Sequence, residues 1–234
     1  MTDSFEALRI LAEASRHSRL TGAERAAAES DGRLRKRKYA SSGELVVVGG
    51  SGGDAGSSLK SAEVYDVSAG QWRALPDMSV AKNGCAAVCI DGNVYVMGGY
   101  DGRSYLKSAE MYDVSAGQWR ALPDMSVARR ACAAVCIDGN VYVVGGHDGG
   151  SAVKSAEIYD TSAGQWRALP DMSVARHGCA AVFIDGNVYV AGGESGAATR
   201  LASMECFDPI ANQWRTLPSM SNPRWYCAAA ACDM

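Results

Sequence analysis

Short apolar segments separated by glycine-containing turns fill the chain from residue 43 onward. In the unit from Arg129 to Met172, an apolar segment at 131–137 is followed by Asp138 and Gly139. This pair is typical of a two-residue hairpin, because a type I′ turn needs positive φ at both residues. No helical period persists over ten residues. The pattern therefore predicts four short strands in this unit, at 131–137, 141–144, 156–159 and 165–169.

The same pattern recurs four times at a nearly constant interval. Trp72, Trp119, Trp166 and Trp214 are separated by 47, 47 and 48 residues. The string G-Q-W-R-A-L-P-D-M-S-V-A begins at three positions and has a looser fourth copy, N-Q-W-R-T-L-P-S-M-S. These copies begin at Gly70, Gly117, Gly164 and Asn212. Four strands in a repeat of about 45 residues indicate a blade of a β-propeller, since one such sheet cannot bury both of its faces and must stack on neighbours.

Each unit combines a Gly-Gly doublet after an apolar strand, a Tyr-Asp or Phe-Asp pair, a Trp and a Leu-Pro-x-Met sequence. This combination resembles the kelch repeat over residues 43–232. The resemblance implies an all-β kelch-type propeller whose strands run a to d from the innermost outward. It also implies that the last strand, 226–232, completes the first blade, for which no preceding strand a is present. We expect a closed ring of four blades; the alternative is that the chain forms part of a larger ring.

Residues 1–42 differ from the rest and are predicted to be an N-terminal extension and linker. They hold nine Lys or Arg against six Asp or Glu, whereas residues 43–234 hold 14 against 20. Helical spacing and capping boxes at Asp3/Glu6 and Thr21/Glu24 predict one or two short helices. The basic run 33–38 has two interpretations, a nuclear localisation or phosphate-binding patch and a solvated linker.

Composition excludes several classes of protein. With 47% hydrophobic residues and a net charge of -3, the chain is neither disordered as a whole nor a basic duplex-binding protein. It shows no secretory signal and no apolar stretch long enough for a membrane helix. Eight Cys without a signal peptide indicate reduced, mostly buried thiols. We expect a cytoplasmic or nuclear protein that binds neither nucleic acid nor membrane.

The sequence does not indicate an enzyme. The chain has three His, and no hydrolytic triad or phosphate-binding glycine motif is recognisable. Cys85, Cys132, Cys179 and Cys227 occupy equivalent positions, so a thiolate site on the propeller axis is conceivable; packing of small side chains is the preferred interpretation. We predict no catalytic residue, no metal, no cofactor and no small-molecule ligand.

The positions that differ between repeats indicate where recognition occurs. They concentrate in the b–c loops, at 51–59, 100–106, 147–153 and 194–201, and at the starts of strands a. Because strands alternate in direction, both groups emerge on the same face of the disc. Tyr, Trp and Arg are enriched at binding hot spots. The predicted partner-binding residues are Lys82, Asn83, Tyr100, Arg103, Tyr105, Arg129, Arg130, His147, Arg176, His177, Glu194, Arg200, Arg224 and Trp225.

The sequence thus predicts a protein-interaction module. Kelch-like adaptors bind acidic peptides partly through Arg at the start of strand a, and Arg129, Arg176 and Arg224 match that position. The resemblance therefore implies an acidic protein segment as the partner. Two alternatives are the substrate-recognition part of a cullin-type ubiquitin ligase and, less favoured, a propeller enzyme.

Overall fold

The computed structural model describes residues 43–52, 56–196 and 198–232. The predicted N-terminal helices and the basic run 33–38 lie outside the described residues, and the boundary at residue 43 stays a prediction. Among the described residues no helix is long and apolar enough to cross a membrane.

The described residues form strands joined by turns and loops. In chain order the strands are β1 (Glu44–Val48), β2 (Ser51–Gly52), β3 (Ser57–Ser58), β4 (Ala62–Asp66), β5 (Gln71–Leu75), β6 (Ala86–Ile90), β7 (Asn93–Met97), β8 (Ala109–Asp113), β9 (Gln118–Leu122), β10 (Ala133–Ile137), β11 (Asn140–Val144), β12 (Ala156–Asp160), β13 (Gln165–Leu169), β14 (Ala180–Ile184), β15 (Asn187–Ala191), β16 (Glu194–Ser195), β17 (Thr199–Arg200), β18 (Met204–Asp208) and β19 (Gln213–Leu217).

Four antiparallel sheets follow one another along the chain, which confirms the all-β propeller architecture. Their strand orders are β1-β4-β5, β6-β7-β8-β9, β10-β11-β12-β13 and β14-β15-β18-β19, with β2-β3 and β16-β17 as small ribbons in the first and last b–c loops. The predicted hairpins are present: in β10-β11, Ile137 pairs with Asn140 across a turn where Asp138 has φ 48° and Gly139 has φ 81°. The innermost strands β6, β10 and β14 lie side by side.

Neighbouring sheets bury their large side chains against each other. Between the third and fourth sheets, Val135 and Tyr142 share one cluster with Val188 and Phe207. At the outer edge the Trp of the second, third and fourth sheets each donates a hydrogen bond to a Pro carbonyl of the preceding sheet. These bonds are Trp119 to Pro76 (2.7 Å), Trp166 to Pro123 (2.8 Å) and Trp214 to Pro170 (2.8 Å). The repeated Trp therefore joins neighbouring blades.

The predicted closing strand is wrong for this structure. Residues 226–232 are not part of any sheet, and the first sheet has three strands. The Tyr226 N–H instead donates to the Gly178 carbonyl (2.8 Å), repeating the bond from the Gly178 N–H to the Ala131 carbonyl (2.7 Å). This bond holds the start of the C-terminal segment beside the fourth sheet.

Candidate functional site

Each connection into an inner strand carries two consecutive variable residues, and the two differ in how deeply they are buried. The first residue of the pair is Lys82, Arg129, Arg176 or Arg224. The second is Asn83, Arg130, His177 or Trp225. The first three cations are fully buried, whereas the second residues are half-buried on the face of the b–c loops. In these three connections the first position of the pair therefore contributes to the interior, and the second contributes to the surface.

Arg129 is 0% exposed and binds groups of its own sheet. Its Nη1 donates to the carbonyl oxygens of Gly145 and Ser155, both at 2.8 Å, and its Nη2 lies 2.9 Å from Glu157 Oε1. The second oxygen of Glu157 accepts the Ser126 N–H at 2.9 Å. The guanidinium thereby ties the start of the inner strand to the third strand, and its charge is fully matched inside the protein.

Arg176 repeats this arrangement in the fourth sheet. Its Nη1 donates to the carbonyls of Gly192 and Ser203, both at 2.9 Å, and its Nη2 lies 3.0 Å from Glu205 Oε1. The prediction that Lys82, Arg129 and Arg176 bind an acidic partner is therefore wrong, because these side chains are 0% exposed and paired internally. Of the Arg residues that suggested it, Arg224 alone is exposed.

Lys82 makes the same connection with fewer contacts. Its Nζ is 2.8 Å from Ser108 Oγ but 3.8 Å from Glu110 Oε1, and that oxygen has no hydrogen-bond partner among the described residues. Burial lowers the pKa of Lys82, while the Glu110 carboxylate opposes that change. A compact ammonium cannot span the distances that the guanidinium fork covers in the two neighbouring sheets.

We expect Lys82→Arg to raise the free energy of unfolding by about 1 to 2 kcal/mol, since it supplies the missing donors to Glu110. Urea denaturation of the variant beside wild type measures the change. Lys107→Arg is the matched control, because Lys107 pairs with Asp124 at the surface of the same sheet. Exposed pairs contribute little. Equal shifts in the two variants would contradict the explanation.

The recognition face has one backbone scaffold with different side chains on it. Isolated bridges join Asn83 to Tyr100, Arg130 to His147 and His177 to Glu194, linking each inner connection to the b–c loop of its own sheet. Hydrogen bonds then join each connection to the next sheet's connection, as in Ala131 N–H to the Gly84 carbonyl at 2.7 Å. Because these bonds involve backbone atoms only, the side chains at these positions can differ between repeats without changing the scaffold.

These side chains form a continuous row of rings. Tyr100 lies 5.2 Å from Tyr105, which lies 5.3 Å from His147, and His147 lies 5.4 Å from His177. The row ends with Trp225, whose ring is 5.8 Å from His177 and 4.5 Å from Tyr226. The structure thus brings together predicted aromatic and His residues from two b–c loops and from two inner connections.

Arginines lie over both ends of this row. Arg130 is 5.3 Å from the Tyr100 ring centre, and Arg200 is 5.7 Å from that of Trp225. A cleft of about 440 Å³ lies beside the first pair, and one of about 500 Å³ lies beside the second. Asn83 lines the former and Arg224 the latter. Arg130 Nε and Trp225 Nε1 are buried donors without a partner among the described residues.

The loop residues contribute charge at the periphery. Asp101 and Asp148 each accept two backbone N–H bonds within their own loops, and these bonds lower the pKa of both carboxyls. Arg103 and Arg200 are exposed, and neither forms an ion pair with a described residue. The acidic groups of these loops thus hold the loops in place while exposed cations remain available.

His177 is a half-buried titratable group within the row. Its Nδ1 is 3.0 Å from the Glu194 carbonyl oxygen, and its Nε2 is 3.8 Å from Glu194 Oε1. Burial lowers the pKa of His177 below its ordinary 6.5; Glu194 opposes this change, whereas His147 and Arg130 reinforce it. The ring is therefore neutral at pH 7 and donates from Nδ1 to the carbonyl.

We expect this pKa to make the protein less stable as pH falls below about 6.5. The unfolded chain takes up a proton on His177 near that pH, but the folded chain does so only at a lower pH, so acid favours unfolding. His177→Asn, the residue found at the equivalent Asn83, removes this effect. The loss of melting temperature between pH 7 and pH 5 should be smaller in the variant than in wild type. If the melting temperatures of the variant and of wild type fell equally between pH 7 and pH 5, His177 would not be the group responsible.

The cysteines are not joined by disulfides in the described part of the chain. Burial raises the pKa of Cys132 to about 11 and that of Cys179 to about 12, so both are thiols at neutral pH. Residues 43–52, 56–196 and 198–232 contain no group of three or more His, Cys, Asp or Glu side chains placed to hold a metal. The equivalent thiols serve here as small packed side chains.

Sequence reasoning missed the acidic partners of the buried cations. Glu63, Glu110, Glu157 and Glu205 recur at intervals of 47, 47 and 48 residues, the same intervals as the cations from Lys82 to Arg224. The signal available in the sequence was that acidic and basic residues recur at the same intervals. Tyr226, whose ring contacts that of Trp225 at a tilt of 47°, was also missed, because Ala131 and Gly178 hold its position in other repeats.

The stacked sheets and the variable face define a repeat protein of the β-propeller class. The profile of the KLHDC2/KLHL20/DRC7 Kelch-repeats domain matches residues 38–233, and the chain belongs to the kelch-repeat family. This confirms the resemblance seen in the sequence. Kelch propellers are in general protein-interaction modules.

Individual relatives match parts of the chain. The F-box/kelch-repeat protein At1g74510 of Arabidopsis thaliana is 42% identical over 60 residues, which are 26% of this chain and 13% of that protein. A second, At1g67480 of the same plant, is 46% identical over 57 residues, 24% of this chain and 15% of that protein. The matches thus span a small part of these relatives. The solved structure of YjhT superposes with a TM-score of 0.70 at 15% identity, covering 79% of this chain and 70% of that one, and shows the fold alone.

Proposed function

We propose that the chain binds a protein partner on the face that carries the b–c loops and the inner connections. The observation that supports this most is the row of rings from Tyr100 to Trp225, built on a backbone scaffold that repeats while its side chains differ. Rigid aromatic side chains offer large contact area at low entropic cost. A non-enzymatic role is part of the same proposal, since the deeply buried Glu residues are used in structural ion pairs.

The partner segment we propose is extended and acidic. After the burial of Arg129 and Arg176 is taken into account, the cations that remain for a partner are Arg103, Arg130, Arg200 and Arg224. Two of them lie over rings at opposite ends of the row, each beside a cleft. A carboxylate in each cleft would form charge-assisted hydrogen bonds, and apolar side chains between them would pack on the His and Tyr rings.

Selection from a display library of random short peptides tests this proposal without a known partner. Asp and Glu should be enriched in the selected peptides. The Arg130→Asn/Arg200→Asn variant should bind a selected peptide at least tenfold more weakly, which corresponds to about 1.4 kcal/mol.

Arg167→Asn is the matched control, because it removes an exposed guanidinium from an outer strand, where Arg167 pairs with Asp160. Its affinity should equal that of wild type. Selected peptides without acidic enrichment, or equal weakening by the control, would contradict the proposal.

A second candidate function is substrate recognition within a cullin-type ubiquitin ligase. The observation that favours it is that two relatives are F-box/kelch-repeat proteins. In that case a cullin should co-purify with the chain from cells, and substitutions at Arg130 and Arg200 should release substrates while leaving the cullin bound.

A further inference from the structure

His177 lies in the row of rings between a carboxylate on one side and basic groups on the other. The Glu194 carboxylate is carried by β16, in the b–c loop of the same sheet, and its Oε1 lies 3.8 Å from His177 Nε2. The two side chains are only 14% and 16% exposed. His147, from the b–c loop of the preceding sheet, contacts the ring with 5.4 Å between ring centres. Arg130, from the inner connection of that sheet, is near enough to disfavour a positive charge on His177.

Hydrogen bonds give the two His rings different capacities for a further proton. His177 Nδ1 donates to the Glu194 carbonyl at 3.0 Å, so its Nε2 is the nitrogen without a proton. A proton on Nε2 keeps that bond and places a cation beside the Glu194 carboxylate. His147 Nδ1 instead accepts the Gly149 N–H at 3.0 Å, and a proton there would displace that bond. Of these two rings, His177 is therefore the one that can gain a proton without losing a hydrogen bond.

The groups on the remaining side of His177 keep their charge unchanged near neutral pH. Trp225, whose ring centre is 5.8 Å from that of His177, is uncharged. Arg200 lies 5.7 Å from the Trp225 ring centre and is always protonated in a protein. Burial raises the pKa of Tyr226, so its phenol is neutral at pH 7 and below. The charge that changes here between pH 7.5 and pH 5.5 is therefore that of the His177 ring.

Glu194 places a negative charge where an acidic segment would pack on the His rings. Like charges brought together in this way weaken association. A proton on His177 offsets the Glu194 charge from 3.8 Å away. The effect is reciprocal, because a partner carboxylate within about 4 to 6 Å of the ring favours its protonated form. Protonation of His177 and binding of an acidic segment should therefore promote each other.

We propose that the His177–Glu194 pair makes recognition of the acidic partner pH-dependent, an inference that rests on the proposed function. His177 takes up one proton as the complex forms, so the affinity rises as the pH falls from 7.5 to 5.5. Asp and Glu side chains of the partner keep their charge over this range, since they titrate near pH 4. A shift of one unit in the pKa of His177 on binding corresponds to about a tenfold gain in affinity.

Isothermal titration calorimetry on the full chain tests this inference. The probe is an acidic peptide from the display selection that contains no His and has both ends blocked, so that the peptide itself titrates little above pH 5.5. Wild type should bind it about tenfold more tightly at pH 5.5 than at pH 7.5. At pH 6, titrations in two buffers with different heats of ionisation should show a net uptake of protons on binding.

Two matched substitutions identify the group that takes up the proton. His177→Asn introduces the residue of the equivalent Asn83, and its amide can still donate to the Glu194 carbonyl. His147→Asn is the control, because the amide oxygen can still accept the Gly149 N–H. Both variants lose a ring and bind more weakly at each pH, so the ratio of the two affinities is the measurement. It should fall to near one in His177→Asn and stay at about ten in His147→Asn.

A third variant tests the role of the carboxylate. Glu194→Gln removes the charge that opposes an acidic segment, so it should bind the peptide more tightly than wild type at pH 7.5. The inference is overturned if wild type shows no pH dependence and no proton uptake, or if His177→Asn keeps the wild-type ratio. In either case the loss of affinity in Arg130→Asn/Arg200→Asn would still support the proposed function. A selection without acidic peptides would overturn both.

Discussion

Arg129→Ala should lower the free energy of unfolding by about 3 to 5 kcal/mol, the usual cost of removing one partner from a buried ion pair. The substitution leaves the Glu157 carboxylate buried without its cation. It also leaves the carbonyls of Gly145 and Ser155 without the donors that Arg129 supplies. In a domain of this size the melting temperature should fall by about 6 to 20 °C. Thermal unfolding followed by circular dichroism measures it.

The repeat supplies a matched control for this experiment. Arg224→Ala changes the same residue at the equivalent position, but Arg224 is exposed and unpaired with any described residue. Measured in dilute solution, it should leave the melting temperature unchanged. The double variant Arg129→Met/Glu157→Leu should recover much of the loss, because apolar side chains of similar volume avoid the cost of an unpaired charge. Equal melting temperatures for Arg129→Ala and Arg224→Ala would contradict the assigned role.

Gly98→Ala should be the most damaging small substitution in the protein, lowering the free energy of unfolding by more than about 3 kcal/mol. Gly98 has φ +66°, and a Cβ built on it would lie 2.1 Å from the Arg129 carbonyl oxygen. That oxygen belongs to the connection of the next sheet, so the added methyl group would push two sheets apart. Urea denaturation of the purified variant measures the loss, and failure to fold would be its extreme form.

Gly117→Ala separates the steric effect from backbone strain. Gly117 has the same φ of +66°, but a Cβ there meets nothing within 4 Å. It should therefore show only the cost of the left-handed conformation, about 1 to 2 kcal/mol. If Gly117→Ala were as destabilising as Gly98→Ala, close packing between sheets would not be the reason for the glycine doublets.

The burial of the first cation in each connection changes how the recognition face should be probed. Reversing the charge of Arg129 or Arg176 would abolish partner binding by unfolding the sheet, whether or not either residue touches a partner. Arg130 and Arg200 are suitable instead, because they lie over rings at the surface. Neighbouring arginines thus require different experiments.

Much of the fold could be read from the sequence because repetition exposes local rules. The β13 strand has the predicted bounds, since Gln165 begins it and Pro170 cannot continue it. The Asp138-Gly139 hairpin follows from the need for positive φ. The face on which the variable residues gather follows from strand alternation alone. The rings in the row from Tyr100 to Trp225 belong to residues that were predicted for this face because they differ between repeats.

The direction of individual side chains could not be read in the same way. Arg129 and Arg130 are adjacent and identical, yet one is buried and the other lies over Tyr100. The difference arises because Glu157, 28 residues away, stands beside the first and not the second. Whether the ring closes could not be predicted from the sequence either, because closure depends on the angle between packed sheets and on no single residue.

The sequence by itself determined the strand pattern, the turns, the stacking of four similar sheets and the face where the repeats differ. Each of these follows from local conformational preference or from strict repetition. Tertiary structure decided which cations are internal, which rings contact one another and where residues 226–232 lie. Those outcomes depend on groups that are distant in the chain and on how closely neighbouring sheets pack, which no local pattern contains.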